Sequence, residues 1–354
     1  MSEFATGMRK GMYGRVLAAL LCAAAPVGTW AQGAPTVVKV GVLDSLAEAP
    51  TFIAFEKGYF REEGLDVRFE KFQNTADMVA PLSTGQIDVA SGAPTLGLYN
   101  GALRGLPYKL VADKGRNSKS HGFNAIVVRK DLIDSGKVKS LADLKGLKVG
   151  TPSRYSPMEF QLELALKTAG LKLEDVTLEQ LNFPNMIAAF SSKVIDAALL
   201  IEPFVGIAVK RGVGTRFIGA DEIYPDFQMA GIIYGPEFVK RSPDAAKRWM
   251  VGYVRGVRDY LDATEGRKPK DELLAVLAKH TSNFKDPSVL QAVVFPGFSP
   301  DGYLHQKTLT DSIDWYSGRG LLKQKPKLAD MMDYQFLDYA LGRIGRKGPA
   351  EVVR

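Results

Sequence analysis

Residues that commonly perform covalent or metal chemistry are sparse in this sequence. Its 354 residues include one cysteine, Cys22, and three histidines, His121, His280 and His305. A single cysteine excludes an intramolecular disulfide and a Cys-based zinc or iron–sulfur site, and the histidines show no HxH or HExxH spacing. The sequence also contains no Walker loop and no GxSxG nucleophile turn. We therefore expect no catalytic centre, no metal and no cofactor.

Small and hydroxyl-bearing residues occupy three loops in which a predicted strand is followed by a predicted helix. Each loop leads to a helix N-terminus, where unpaired backbone N–H groups and the helix dipole favour an anion by about 0.3–1 kcal/mol. Small side chains let a ligand approach the backbone, and hydroxyl groups add donors. This composition suits a sulfonate, a carboxylate or a similar headgroup. The predicted ligand contacts in these loops are Asp44, Ser45, Ser91, Ala93, Thr95, Arg154, Tyr155 and Ser156.

Some candidate contacts allow two interpretations. The guanidinium of Arg154 could clamp an oxyanion bidentately, or it could be a surface group beside its loop. Tyr155 could cover an organic tail or pack locally. Glu202 could accept a hydrogen bond from a ligand amine, which would indicate a zwitterion, or it could hold a hinge or the loop at Asn185. The structural role of Glu202 is favoured, and both Glu202 and Asn185 are kept as candidate contacts.

Hydrophobic periodicity predicts the scaffold that must position these loops. Short apolar or alternating runs predict strands, and apolar residues at three- and four-residue spacing predict helices. Helices are predicted between the strands of the first half, one of them from Pro50 to Gly64. Alternating strands and helices imply right-handed crossovers and a largely parallel sheet. The strands of this half are predicted at 37–43, 66–72, 87–90 and 108–112.

The same pattern restarts in the middle of the chain and gives way to helices near the end. Two α/β units followed by helices suggest two lobes and a cleft, because ligands of open α/β sheets bind beyond the carboxyl ends of the strands. The C-terminal helices should pack on a sheet that is already built. Strands are predicted at 125–128, 147–150, 175–181, 197–201 and 216–218. The C-terminal helices are predicted at 243–264, 271–280, 309–318 and 327–341.

The N-terminus has the three parts of a secretory signal peptide. Three basic residues precede an apolar run at 16–25, and small residues before Gln32 form a cleavage site after Ala31. The run is shorter than the roughly 20 residues that a membrane span needs. We therefore expect residues 1–31 to be a removed signal peptide. Cys22 lies inside this segment, and the bulky leucine before it argues against lipid attachment.

Composition and charge are those of a globular chain with two domains. Hydrophobic residues make up 46% and charged residues 24% of the chain, and roughly 100–200 residues per domain suggests two domains. The formal net charge is +7. The predicted signal peptide carries three basic residues and one acidic residue, so +5 remains, spread too diffusely to indicate nucleic acid. The remaining chain has no cysteine, which is common in an oxidising compartment.

Several short segments, taken in their order along the chain, resemble those of a known protein family. In the first half they are Glu56-Lys57-Gly58-Tyr59-Phe60 with Gly64-Leu65-Asp66-Val67, and Leu82–Ala90. In the second half they are Leu141–Gly150, and Ile195-Asp196-Ala197-Ala198 with Glu202-Pro203-Phe204. Over roughly residues 37–240 their order and spacing resemble the periplasmic solute-binding proteins of ABC importers. The similar group is the sulfonate, taurine and nitrate type, which includes the thiamine-pyrimidine-synthase-like proteins.

The resemblance implies a type II periplasmic binding-protein fold, an α/β architecture with two lobes, a hinge of two crossovers near residues 124 and 228, and added C-terminal helices. Residues 36–124 and 228–354 would form lobe I, and residues 125–227 would form lobe II. The implied function is a non-catalytic, monomeric receptor in the periplasm. It would capture a small organic anion and deliver it to an ABC permease in the inner membrane.

Two alternative functions are considered for such a fold: an enzyme and a ligand-sensing partner of a membrane receptor. Desulfinases with a nucleophilic cysteine and pyrimidine synthases with a cysteine-rich motif are similar in fold. A chain without cysteine after signal removal lacks both motifs, so the enzymatic alternative is disfavoured on chemical grounds. A ligand-sensing partner of a membrane receptor stays open, because the sequence does not separate sensing from transport.

Overall fold

The computed structural model of the chain describes residues 34–282, 289–290 and 293–348. The predicted signal peptide, residues 1–31, therefore lies outside the described residues. Within them, strands and helices alternate up to about residue 241 and helices dominate afterwards. No helix in this part of the chain is both long and apolar enough to cross a membrane.

Twelve short strands are formed by the described residues, at or close to the positions that the periodicity predicts. They are β1 (Thr36–Val42), β2 (Leu65–Lys71), β3 (Val89–Gly92), β4 (Lys109–Asp113), β5 (Arg116–Asn117), β6 (Asn124–Arg129), β7 (Lys148–Thr151), β8 (Thr177–Gln180), β9 (Ala197–Ile201), β10 (Gly214–Gly219), β11 (Phe227–Gln228) and β12 (Gly231–Tyr234).

The α-helices lie between these strands and in the C-terminal third. They are α1 (Ala49–Glu56), α2 (Tyr59–Glu62), α3 (Val79–Ser83), α4 (Leu96–Leu103), α5 (Lys130–Asp134), α6 (Pro157–Thr168), α7 (Phe183–Ser191), α8 (Phe204–Lys210), α9 (Ala220–Ile223), α10 (Pro236–Arg241), α11 (Pro243–Thr264), α12 (Asp271–His280), α13 (Gln306–Gly318), α14 (Leu328–Met331) and α15 (Gln335–Ile344).

Two five-stranded sheets form the scaffold. The first has the order β2-β1-β3-β12-β4 and the second has the order β10-β6-β9-β7-β8. The prediction of largely parallel sheets is wrong for half of the pairs, since β12 runs antiparallel to β3 and β4, and β6 runs antiparallel to β9 and β10. Each of these two strands enters its sheet directly after the chain has crossed from the other sheet. A strand that enters in this way starts at the edge where its neighbours end.

The chain passes between the sheets twice, and the two passages lie side by side. The first joins β4 to β6 and the second joins β10 to β12. Strand β5 of the first passage pairs antiparallel with β11 of the second, with Asn117 opposite Phe227 and Arg116 opposite Gln228. This two-stranded sheet is therefore the covalent and hydrogen-bonded link between the two larger sheets.

Two predicted helices are interrupted in the structure. The helix predicted from Pro50 to Gly64 divides into α1 and α2 at Gly58, whose φ of 75° is left-handed and ends the first helix. The helix predicted over 327–341 divides into α14 and α15. Between them the backbone N–H of Asp333 donates to the carbonyl of Leu110 at 3.1 Å, so this turn is used to cover the edge strand β4.

Helix α11 anchors the C-terminal helices on the first sheet, as the sequence predicts. Its residue Trp249 is fully buried, stacks on Phe60 of α2 at 5.3 Å and meets Tyr234 of β12 edge-on at 5.9 Å between ring centroids. The same core includes Val38 and Val40 of β1. Burying a large aromatic side chain contributes about 1.5–3 kcal/mol, so this contact fixes the helix against the sheet.

Candidate functional site

A cavity of about 130 Å³ is lined by loops that follow the carboxyl ends of strands in both sheets. Leu43 follows β1, Ala93 follows β3, Pro152 follows β7 and Ile201 ends β9. The strand-end rule for open α/β sheets therefore predicts the place of this cavity. No three His, Cys, Asp or Glu side chains in the described part of the chain are grouped as a metal site would need.

Three predicted contacts line the cavity from the first sheet: Ser45, Ala93 and Thr95. The Ser45 hydroxyl accepts from the Ala47 N–H at 3.2 Å, and the Ala93 N–H donates to the hydroxyl of Thr75 at 3.0 Å. The buried hydroxyl oxygen of Thr95 has no protein partner among the described residues. A hydroxyl in this state is ready to hydrogen-bond a ligand.

Ser156 is the predicted contact that lines the cavity from the second sheet. It is the N-cap of α6, and its hydroxyl accepts from the Glu159 N–H at 3.3 Å. Pro157 at the first helical position has the backbone angle that a helix start requires. Asn182 caps α7 in the same way, accepting from the Asn185 N–H at 3.0 Å, and it also lines the cavity.

Three helix N-termini consequently face one cavity. They are the first residues of α4, α6 and α7, with N-caps Thr95, Ser156 and Asn182. The three helices have 8, 12 and 9 residues, so each carries a dipole. Converging positive helix ends favour a negatively charged group between them.

Lys114 is the one charged side chain among the described residues that line the cavity. Its side chain is 2% exposed, and its ammonium lies 2.7 Å from the carboxylate of Glu48, which is fully buried. The Glu48 carboxylate also accepts from the Leu43 N–H at 2.9 Å and from the Ser91 hydroxyl at 2.7 Å. A buried charge requires such pairing and hydrogen bonding. The ion pair therefore forms one wall of the cavity.

Two predicted contacts on this side do not line the cavity. Ser91 is fully buried and its hydroxyl holds Glu48, so it positions the ion pair instead of meeting a ligand directly. Asp44 accepts hydrogen bonds from the backbone N–H and the hydroxyl of Ser282. Its position beyond β1 is as predicted, but its carboxylate is directed to the C-terminal part of the chain.

Arg154 and Tyr155 also lie outside the lining. The Arg154 guanidinium is 3.3 Å from the buried carboxylate of Glu159, which also accepts from the Tyr155 N–H at 2.8 Å. Burial raises the pKa of Glu159, and Arg154 opposes that shift. The Tyr155 carbonyl accepts from the Tyr316 hydroxyl at 2.7 Å. The positive charge of Arg154 thus balances the buried carboxylate of Glu159, which lies three residues after Ser156, the N-cap of α6.

Asn185 lies outside the lining because α7 starts earlier than predicted. The apolar residues at 186–190 predict a helix that starts at Met186, whereas α7 begins at Phe183. Asn182 is therefore the cap, and Asn185 is an exposed residue of the first turn whose N–H is capped. The sequence Asn182-Phe183-Pro184 carries the signal for the true start, since an asparagine cap followed by an early proline is typical of a helix N-terminus.

Glu202 is 1% exposed and does not line the cavity. Its carboxylate accepts from the Gly206 N–H at 3.0 Å and from the Val294 N–H at 3.3 Å, and Arg216 lies 3.8 Å away. Glu202 thus connects the end of β9 to α8 and to the C-terminal segment at Val294. Burial raises the pKa of Glu202 to about 7, although the two N–H donors and Arg216 oppose the shift.

The raised pKa of Glu202 predicts a pH-dependent stability. Its pKa is about 7 in the folded chain and 4.5 as an ordinary glutamate, so its stabilising contribution is complete below pH 4.5 and is lost as the pH rises through 7. The difference corresponds to about 3 kcal/mol. We expect Glu202→Gln to remove this part of the pH dependence, measured by urea unfolding at pH 5, 6, 7 and 8. Glu237→Gln, at an exposed glutamate, should keep the wild-type pH profile; equal profiles for Glu202→Gln and wild type would contradict the prediction.

Several lining residues are absent from the sequence-based prediction. Lys114 directly follows β4, so the strand-end rule applied to that strand would have identified it. Phe123 and Met229 come from the two passages between the sheets, and Phe183 begins α7. Their participation depends on how the sheets are placed, and no local pattern in the sequence indicates it.

Comparisons of the sequence support a family assignment. A family model described as NMT1/THI5 like matches residues 47–265, more than half of the chain. A protein of Brucella abortus (strain 2308) that is named as a binding protein is 32% identical over 229 residues, which are 64% of this chain and 67% of that protein.

Solved structures share the fold at low sequence identity. The ligand-binding component of an ABC-type import system from Staphylococcus aureus has a TM-score of 0.72 and 19% identity, covering 86% of this chain and 99% of that chain. The periplasmic nitrate-binding protein NrtA from Synechocystis PCC 6803 has a TM-score of 0.72 and 17% identity, covering 90% and 92%. These similarities confirm the predicted α/β periplasmic binding-protein fold.

Proposed function

Because the chain belongs to the NMT1/THI5-like family, we propose that it is a solute-binding receptor of an ABC import system that captures a small organic anion. The relative in Brucella abortus is named as a binding protein, and the Staphylococcus aureus neighbour is a ligand-binding component of such a system. Both support binding rather than catalysis as the function.

The anion is supported above all by the electrostatics of the cavity. Three helix N-termini face it, and no acidic side chain is among the described residues that line it. Ser45, Ala93, Thr95 and Ser156 are the proposed contacts from the predicted set. Each helix end contributes about 0.3–1 kcal/mol toward an anion, and more where it is partly buried.

The two passages between the sheets are the proposed hinge. Residues 36–124 and 228–354 would form lobe I and residues 125–227 lobe II, with the cavity closing when the lobes approach. A ligand that contacts both lobes has a higher affinity for the closed form and shifts the equilibrium toward it by that difference. The closed, monomeric receptor would then deliver its ligand to a permease in the inner membrane, after export to the periplasm with removal of residues 1–31.

Ligand-induced stabilisation tests this function. We expect one member of a panel of nitrate, taurine, hexanesulfonate, benzoate and riboflavin to raise the melting temperature by several degrees, because a ligand at a hundredfold its Kd stabilises by about 2.7 kcal/mol. The ligand should be recovered unchanged by chromatography. Ala93→Leu, which fills the cavity, should abolish the shift, whereas Ala188→Leu on the exposed face of α7 should retain it. Chemical turnover of the bound ligand would contradict a receptor.

A further inference from the structure

The ammonium of Lys114 has more donors than partners among the residues that the structure describes. An ammonium carries three N–H donors. Glu48 is its one side-chain partner among the described residues, at 2.7 Å. Lys114 is a lining residue of the cavity, and Glu48 is not. The other two N–H donors of this ammonium have no acceptor among the contacts of the described residues.

Glu48 holds this ammonium in place. Its carboxylate is fixed by the Leu43 N–H and the Ser91 hydroxyl, both buried or half-buried. Leu43 and Glu48 follow β1, and Ser91 lies within β3. The pair is neutral when the cavity is empty. When an anion binds to Lys114, the additional negative charge faces the N-termini of α4, α6 and α7, which offset it.

The remaining walls are suited to an apolar body. Phe123, Met158, Phe183, Ile201 and Met229 line the cavity. A volume of about 130 Å³ is close to the roughly 150 Å³ apolar cavity that accepts benzene in a protein core. A ligand body about the size of one six-membered ring therefore fits this volume.

A positively charged group on the ligand would find no acidic partner among the described residues that line the cavity. A ligand ammonium would need an acidic partner, and none lines the cavity within the described residues. The nearby glutamates are engaged elsewhere, Glu159 with Arg154 and Glu202 with backbone N–H groups. A buried, unpaired ammonium is costly, so zwitterions are selected against.

We propose that Lys114 binds the acidic group of the ligand and that the ligand is a monoanion with one carboxylate or sulfonate on an apolar, ring-sized body. The proposal rests on the receptor function proposed above and specifies its ligand class. It distinguishes this class from inorganic anions, which leave the apolar walls uncovered, and from amino acids and aminosulfonates, which carry an ammonium.

Matched ligands distinguish the contribution of the acidic headgroup to the affinity from that of the apolar body. Calorimetric titration would compare benzoate and benzenesulfonate with neutral benzamide, zwitterionic phenylglycine and taurine, and nitrate. We expect benzoate or benzenesulfonate to bind at least tenfold more tightly than the other four, and their order distinguishes a carboxylate from a sulfonate site. Tighter binding of taurine, phenylglycine or nitrate would support the receptor function and overturn this ligand class. Absence of binding by both ring monoanions would also overturn it.

Variants of the ion pair test the role of Lys114. Lys114→Met alone leaves Glu48 unpaired, so the informative protein is Lys114→Met with Glu48→Gln, in which both charges are removed. Its affinity for benzoate should fall at least tenfold while its affinity for benzamide stays within twofold. Glu48→Gln alone frees the ammonium and should raise the affinity for benzoate. Lys130→Met with Asp134→Asn removes an exposed pair as the matched control. Unchanged benzoate affinity in the first double variant would exclude Lys114 as the headgroup contact.

Discussion

Lys114→Met should lower the free energy of unfolding by about 3–5 kcal/mol, because it leaves the carboxylate of Glu48 buried without a countercharge. Glu48 is fully buried, so water does not replace the lost ammonium. The Leu43 N–H and the Ser91 hydroxyl remain as donors, but neither carries a charge. Urea unfolding of the unliganded protein measures the change, with the slope compared between variants.

A second substitution distinguishes the loss of the countercharge from the loss of packing. Adding Glu48→Gln to Lys114→Met should recover most of the lost stability, because replacing a whole buried ion pair is often close to neutral. The amide oxygen can still accept from the Leu43 N–H, and the amide N–H can donate to the Ser91 hydroxyl. Lys130→Met, which breaks an exposed pair with Asp134, should cost at most about 0.5 kcal/mol. A loss below about 1 kcal/mol for Lys114→Met would show that the pair does not stabilise the cavity wall.

Asp113→Ala should lower the free energy of unfolding by a similar amount, about 3–5 kcal/mol, because several buried donors lose their acceptor. The fully buried carboxylate accepts from the N–H groups of Gly115 and Ser299 and from the side-chain amide of Gln228, each at 2.7 Å. These donors belong to the first passage, the C-terminal region and the second passage. Asp113 therefore fastens both passages to the end of β4.

The graded control for this residue is Asp113→Asn. Asparagine keeps one acceptor oxygen for Gly115 and Gln228 but presents an amide to the Ser299 N–H, so we expect about half the loss of the alanine variant. Both proteins are compared with wild type by urea unfolding at pH 7. Equal losses for alanine and asparagine would mean that a carboxylate charge, and not the number of acceptors, is what the site requires.

The strand and helix positions were largely predictable because their signals are local. A short, mostly apolar run places β1 within one residue of its predicted limits, and Ser242-Pro243 predicts the start of α11. The strand-end rule likewise predicts that Ser45, Ala93, Thr95 and Ser156 border a cavity. Such signals depend on a few residues that are neighbours in the sequence. They can therefore be recognised without knowledge of the tertiary structure.

The sequence does not predict the breaks in the two helices or the direction of the antiparallel strands. Gly58 is compatible with a helix or with a left-handed turn, and packing of α1 and α2 against α11 decides between them. The turn between α14 and α15 forms because Asp333 pairs with Leu110, more than 200 residues earlier in the chain. The antiparallel direction of β6 and β12 follows from the two passages, which local periodicity does not describe.

By itself, the sequence determined the α/β fold, the family and the loops that border the cavity, since periodicity, caps and short motifs are contained in neighbouring residues. Only the tertiary structure decided which charged groups are available to a ligand. Arg154 is occupied by Glu159, Glu202 holds Val294, and Lys114 is brought to the cavity by Glu48, 66 positions earlier. The cost of burying a charge makes each of them depend on its partner, and that partner is determined by packing across the molecule.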